Sequence, residues 1–338
     1  MALDSVRTVD YHTGGEPFRI VAEPPVGIPG ATVADKRVRA IADPLVDGLR
    51  RLLCFEPRGH ADMYGGFLVP ADDEGAHFGV LFWHKDGFST ACGHGTIALG
   101  TWAVESGRVG APDTGVTDVV VDVPSGRVTA RVHTEHAAVT AVDFVNVPSY
   151  LLAEDITVCT SRGEVRAAVA YGGALYAQVD VARVGLAVVP EQYAELIALG
   201  REVKWAVNEQ PVARHPSDER LSGIYGTILY EELREDASAL HQRNVTIFAD
   251  GELDRSPCGS GTASRVAALA ATGRLRPGRV LVHDSIVGSR FLARVLTETT
   301  VDGHAAVVPS ITGQAYKTGE HLFVVDPRDD LVPGFVLR

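Results

Sequence analysis

The sequence predicts an α+β fold of two pseudo-symmetric halves, each a β-sheet wrapped around one central helix. Three observations carry this. The chain has 338 residues, too many for one ordinary core and enough for two compact domains. Short strand-like stretches are many and helix-like ones few. And Cys-Gly-X-Gly-Thr occurs twice, as "ACGHGTIALG" at Cys92 and as "PCGSGTASRV" at Cys258, 166 positions later.

The first copy follows "FGVLFWHKDGFST", which alternates as a strand, and leads into a helix expected from about Thr96 to Ser106, closed by Gly107. The second follows "NVTIFADGELDRSP" and leads into a helix closed by Gly273. Cys92 to Gly107 and Cys258 to Gly273 are both 15 residues, each followed by Arg and then an apolar residue. This is a faint internal duplication. Between the copies, "VTDVVVDVPSGRVTARVHTE" predicts a hairpin about Pro124, Ser125 and Gly126, and "PEQYAELIALGREVKWAV" a helix with Leu196, Leu199 and Val203 on one face. The polar "NEQPVARHPSDERLSG" reads as a surface loop. A boundary near residues 126 to 135 would leave one copy in each half.

Composition narrows the partners. A net charge of −12 without any dense Lys/Arg cluster argues against nucleic acid and anionic membranes, which leaves a small soluble ligand. The N-terminus has no apolar signal region and no stretch approaches a membrane span, so a cytoplasmic protein is expected. Four widely spaced cysteines in that setting do not suggest disulfides, and no HExxH or CxxC pattern suggests a metal. Cys54 and Cys159 lack the glycine-helix context and read as packing residues.

A cysteine at the mouth of a helix meets unpaired N–H groups and the positive end of the dipole, so its thiol should ionise more easily. Flanking glycines let a carboxylate approach those N–H groups. Each copy thus offers an acid/base group beside a carboxylate cradle. Two copies facing each other across a cleft would suit inversion at the carbon next to a carboxylate, one thiolate removing the α-proton and the opposite thiol delivering another.

At these residues the chain resembles the proline racemase superfamily. The shared signatures stand here as "DYHTGGEPFRIV", "ACGHGTIALG" and "DRSPCGSGT", joined by "EPRGHADMYGG", "AYGGALYA" and "ITGQAYKTG", so the likeness spans essentially the whole chain. It implies a diaminopimelate epimerase-like fold with the active site in the cleft between the halves, and no cofactor, neither metal nor pyridoxal phosphate. It also implies that the last few dozen residues return to the N-terminal half. The expected halves are then residues 1–128 with about 315–338, carrying Cys92, and 129–314, carrying Cys258. The resemblance assigns Cys92 and Cys258 as the pair of acid/base thiols. It gives Gly93, His94, Gly259 and Ser260 to the substrate carboxylate, and Asp254 to the ring nitrogen, with His94 able to join it. Glu16 and His12 lie in the first signature, where a turn at Gly14 and Gly15 explains them nearly as well. His241 is a weaker candidate for a ring substituent, and His60, Asp62 and Tyr64 read as structural.

The family's common activities are proline racemase, 4-hydroxyproline 2-epimerase and trans-3-hydroxy-L-proline dehydratase. Its dehydratases typically have threonine at the position of Cys258, because eliminating water needs only one α-proton base. Two thiols therefore favour a cofactor-independent racemase or epimerase of proline or a hydroxyproline. The flanks "RRLLCFEPRGHADMYGG" and "AYGGALYA" lean towards the dehydratase branch. A binding protein that has lost turnover is a third reading, opposed by the intact Cys92, Cys258 and Asp254. The expected partner is a small imino acid, with no nucleic acid and no membrane, and homodimer formation is compatible with the sequence.

Overall fold

The structure is a computed structural model that describes residues 4–337; the outermost residues of the expected N-terminal half, 1–3 and 338, lie outside the described residues. Two compact units divide the chain, one made of residues up to Val142 with those from Gln314 onward, the other of Asp143–Gly313.

The first unit opens with the antiparallel hairpin β1 (Ser5–Thr13) and β2 (Glu16–Val21). Two helices follow, α1 (Val33–Ala42) and α2 (Pro44–Cys54). Thr32 and Asp35 form a capping box on α1, and the Asp43 carboxylate accepts the Leu45 and Val46 N–H groups at the head of α2, where Pro44 has no N–H that needs an acceptor. Strand β3 (Gly65–Val69) then lies parallel to β2, and the fully buried β4 (Phe78–His84) runs antiparallel to β3. A two-residue strand, β5 (Gly87–Phe88), turns back on β4 and delivers the chain to α3 (Gly93–Glu105). Strand β6 (Gly115–Val123) returns parallel to β4 and pairs with β7 (Gly126–Glu135), and β8 (Ala138–Val145) leads across the division. The division falls after Val142 rather than within residues 126–135, because that span is the outgoing arm of a hairpin paired from Gly115↔Thr134 to Val123↔Gly126.

The second unit repeats this order. Strands β9 (Ser149–Thr160) and β10 (Gly163–Tyr171) pair antiparallel, as do β10 and β11 (Leu175–Asp180). After α4 (Tyr193–Asn208), β12 (Ile224–Glu235) lies parallel to β11 and β13 (Ala239–Phe248) antiparallel to β12. The two-residue β14 (Glu252–Leu253) turns back on β13 and leads into α5 (Gly259–Ala271). Strand β15 (Val280–Ser285) returns parallel to β13, followed by β16 (Arg290–Val301) and β17 (His304–Gly313). Because β17 also pairs with β9 through Ala306↔Tyr150, the strands close around α5. The final strand of the chain, β18 (Ala315–Val324), belongs to the first unit, antiparallel to β1.

In both copies a short strand feeds a helix that the sheet encloses. Eleven of the thirteen residues of α3 are buried, and eleven of thirteen in α5, which explains why both sequences are mostly small or apolar with no polar stripe. Gly107 and Gly273 follow at φ of 72° and 70°, the left-handed caps that the 15-residue spacing predicts. Helix α3 begins at Gly93 rather than Thr96, because Cys92 itself is its N-cap. No helix among the described residues is long and apolar enough to cross a membrane.

Candidate active site

Cys92 sits at the head of α3 with extended backbone, and its Sγ accepts the Gly95 N–H at 3.2 Å, so the thiol faces the end of the helix where backbone donors are unpaired. The same sulfur lies 3.4 Å from Nδ1 and 3.7 Å from Nε2 of His94. His94 is buried: Phe18 and Tyr64 meet its ring edge-on at centroid distances of 5.8 and 5.0 Å, and the Thr13 hydroxyl donates to its carbonyl at 2.9 Å. Burial pulls the imidazole pKa down to about 3, against a smaller opposing contribution from a hydrogen bond to the Pro17 backbone. His94 is therefore neutral at any working pH.

Cys258 heads α5, but differently. Its φ is +62°, a conformation rare outside glycine, and its side chain makes no capping bond to the helix. What holds it is the preceding loop: the Ser256 hydroxyl accepts the Cys258 N–H at 3.0 Å and donates to the Asp254 carboxylate at 2.7 Å, while the Ser256 N–H reaches the same carboxylate oxygen at 2.8 Å. One serine thus ties both expected site residues together. Asp254 and Cys258 are only 3% and 6% exposed. Burial raises the Asp254 pKa, and burial followed by the Asp254 charge pushes the Cys258 thiol up. The expectation of an easily ionised thiol is corrected at this end: desolvation and a neighbouring carboxylate outweigh the helix terminus, and the resting group is the thiol.

The glycines that matter most, Gly95 and Gly261, sit two residues beyond Gly93 and Gly259, which the sequence reading selected. A Cβ built on Gly95 would lie 2.8 Å from the Cys92 sulfur and 2.4 Å from Phe18, and one built on Gly261 would lie 2.8 Å from the Cys258 sulfur. Both are the second glycine of Cys-Gly-X-Gly, so the repeat itself carried the signal. Gly93 and Gly259 are the first residues of their helices. Ser260 shares a 2.7 Å hydrogen bond with the Tyr176 hydroxyl, a partner that spacing could not reveal because it arrives from β11.

The other candidates divide. His12 Nδ1 accepts the Gly15 N–H at 3.2 Å, which is the turn role, and the buried Glu16 pairs across that turn with Thr13. Tyr64, read as structural, is the wall of the His94 pocket. His241 does not join Cys258: it bonds Asp284 at 2.7 Å, and it lies five residues from Thr246, roughly 16 Å along β13 at the usual strand rise. Alternation also sends it outward, opposite to Gln242, which reaches Arg265 of α5. Cys54 is buried and donates to the Met63 carbonyl at 3.3 Å, as a packing residue would, whereas Cys159 is exposed on β9, so the packing assignment there is corrected.

A model of the proline racemase family matches residues 8–336. The chain belongs to that family. A proline racemase family relative, the 3-hydroxyproline 2-epimerase of Burkholderia multivorans (strain ATCC 17616 / 249), is 46% identical over 99% of this chain and 98% of its own. The trans-3-hydroxy-L-proline dehydratase of Bacillus thuringiensis subsp. konkukian (strain 97-27) is 41% identical over 98% of this chain and 97% of its own. Among solved structures, a hydroxyproline epimerase from Agrobacterium vitis with bound trans-4-OH-L-proline superposes with a TM-score of 0.92 at 32% identity, covering 99% of this chain and 96% of the other. The fold is the α+β fold of the proline racemase family, and the protein is an enzyme whose relatives are epimerases or dehydratases.

Proposed function

We propose that the enzyme is a cofactor-independent 2-epimerase of a hydroxyproline, with 3-hydroxyproline as the first substrate to try. The observation that carries the reading is Cys258: a second thiol at the head of a buried helix, in the place that Cys92 holds in the first copy. Inversion at the α-carbon takes one base and one acid on opposite faces, and two thiols supply both. In this reading Cys92 and Cys258 exchange those roles with the direction of reaction. The first-turn N–H groups at Gly93, His94, Gly259 and Ser260 receive the carboxylate, and Asp254 receives the ring ammonium. A cationic substrate nitrogen beside Asp254 would also offset the charge that now opposes a Cys258 thiolate. Glu16 keeps a supporting place through Thr13 and His94. The 46% identical epimerase supports the 3-hydroxy substrate, whereas the solved epimerase with bound trans-4-OH-L-proline supports the 4-hydroxy one.

The dehydratase reading has its own support in relatives of that name at 41% to 45% identity over nearly the whole chain. One experiment separates them. The enzyme is incubated in deuterated water with proline, 4-hydroxyproline and 3-hydroxyproline isomers, and products are resolved by chiral chromatography and mass. The epimerase reading expects cis-3-hydroxy-D-proline from trans-3-hydroxy-L-proline, carrying α-deuterium and all of its oxygen. Release of water with formation of a cyclic imine would overturn it in favour of the dehydratase.

A further inference from the structure

Thr246 lies on the inner face of β13, opposite Ile228 of β12, and Ile228 packs against Cys258. Its neighbour Ile247 points the other way, filling the space where a Cβ on Gly200 of α4 would lie 2.5 Å from it. The Thr246 carbonyl accepts the Asp254 N–H at 3.0 Å, which fixes residue 246 against the loop that carries Asp254, Ser256 and Cys258. The Thr246 side chain is fully buried, yet its hydroxyl makes no well-formed hydrogen bond among the described residues. A buried O–H without an acceptor is a standing cost. Its place on the inner face of β13, across from the Ile228 that packs on Cys258, turns that hydroxyl toward the Cys258 sulfur.

We propose that the Thr246 hydroxyl donates to the Cys258 sulfur when that sulfur becomes a thiolate, so that Thr246 favours the basic form of this thiol. The inference rests on the reading of Cys258 as an acid/base group. A thiol is a poor acceptor and a thiolate a good one, so the bond strengthens as the charge develops, which is the differential interaction that lowers a barrier. Need for such a donor is visible in the same place. The charged neighbour that acts on Cys258 is Asp254, which opposes a second negative charge, and Arg255 acts on Asp254 rather than on the sulfur. Ser256 spends its hydroxyl on Asp254 and on the Cys258 N–H, leaving Thr246 as the side-chain donor for the sulfur.

The test uses Thr246→Val, which keeps the shape and removes the hydroxyl, and Thr246→Ser, which keeps the hydroxyl. The readout is the rate at which iodoacetamide alkylates Cys258 in the full chain, followed on its peptide by mass spectrometry across pH. If the valine chain does not fold by circular dichroism, Thr246→Ala takes its place. The expected result is alkylation about tenfold slower for valine at each pH below the thiol midpoint, equivalent to a thiol about one pH unit weaker, with serine near wild type. Turnover of the accepted isomer should fall with it, in kcat more than in KM. Equal alkylation rates for wild type and valine overturn the proposal. Because alkylation needs no substrate, slowed alkylation in a protein that inverts no isomer would sustain the Thr246 contact and sink the epimerase reading alone.

Discussion

Cys92 Sγ and His94 Nδ1 are 3.4 Å apart in a pocket closed by Phe18 and Tyr64, and the imidazole there is neutral because burial holds its pKa at about 3. The pair is thus a sulfur beside an uncharged ring, not a thiolate–imidazolium ion pair. His94 is therefore expected to act by its position beside the Cys92 thiol, without titrating. His94→Asn should lower kcat by roughly 10- to 100-fold, within the range of a lost positioned polar group, while the pH profile between 5.5 and 8 keeps its shape. Loss of one limb of that profile in the variant would show that His94 does change its charge.

Gly95 and Gly261 leave the space into which each sulfur fits. Gly261→Ala forces a methyl to within 2.8 Å of the Cys258 sulfur, and Gly95→Ala does the same at Cys92 with Phe18 closer still. Sulfur and methyl cannot share that gap, so the thiol must leave its rotamer. Each alanine should cost at least about 100-fold in turnover, since acid/base groups lose their effect when displaced by an ångström. Thermal melting should show that the chain still folds, because alanine suits a helix better than glycine. Near wild-type turnover in either variant would mean that the sulfur's present position is not the working one.

The two helix heads were legible from sequence because a repeat constrains itself: matched cysteines, matched glycines and a matched 15-residue interval exclude chance packing. Asp254, four residues before Cys258, has no counterpart in the first copy, where Phe88 stands, and came from the family resemblance instead. The repeat did not reach Phe18, which meets His94 from β2, or Tyr176 and Thr246, which stand near the head of α5 from β11 and β13; sheet register places them, and a single sequence does not display register. Helices α1 and α2 were missed although Thr32 with Asp35, and Asp43 with Pro44, spell helix starts. His241 is turned away from α5 by alternation along β13 and bonds Asp284 instead.

Acid should destabilise the fold through two buried histidines. Burial lowers the pKa of both His94 and His283 from 6.5 to about 3. Between those values the unfolded chain binds protons that the folded chain refuses, so stability is full above pH 6.5 and is lost as pH falls toward 3. Each group contributes up to about 1.4 kcal/mol per pH unit in that window. Asp254, whose pKa is raised by burial, works in the opposite direction through the carboxylate range and softens the lower part of the slope. Urea midpoints at pH 7 and pH 5 should therefore differ markedly for wild type and less for His283→Gln, which removes one of the two refusals. An equal drop in both proteins would mean that His283 is protonated in the fold.

The substitution that asks most of the second thiol is Cys258→Thr. Threonine keeps a hydroxyl at the head of α5, but that hydroxyl neither accepts nor delivers a proton readily near neutral pH, so inversion should fall below detection. Cys92 is untouched, with its Gly95 N–H and His94 contacts in another element, and should still exchange the α-proton of one enantiomer with solvent deuterium. The β-branch adds a cost, because residue 258 stands at φ +62°, where branched side chains are disfavoured. Cys258→Ser therefore serves as the matched control, with the same chemistry expected and less strain. Exchange of one enantiomer without inversion in both variants is the expected outcome, read by proton NMR in deuterated water. Racemised product from either would remove Cys258 from the reaction and require another acid on that face.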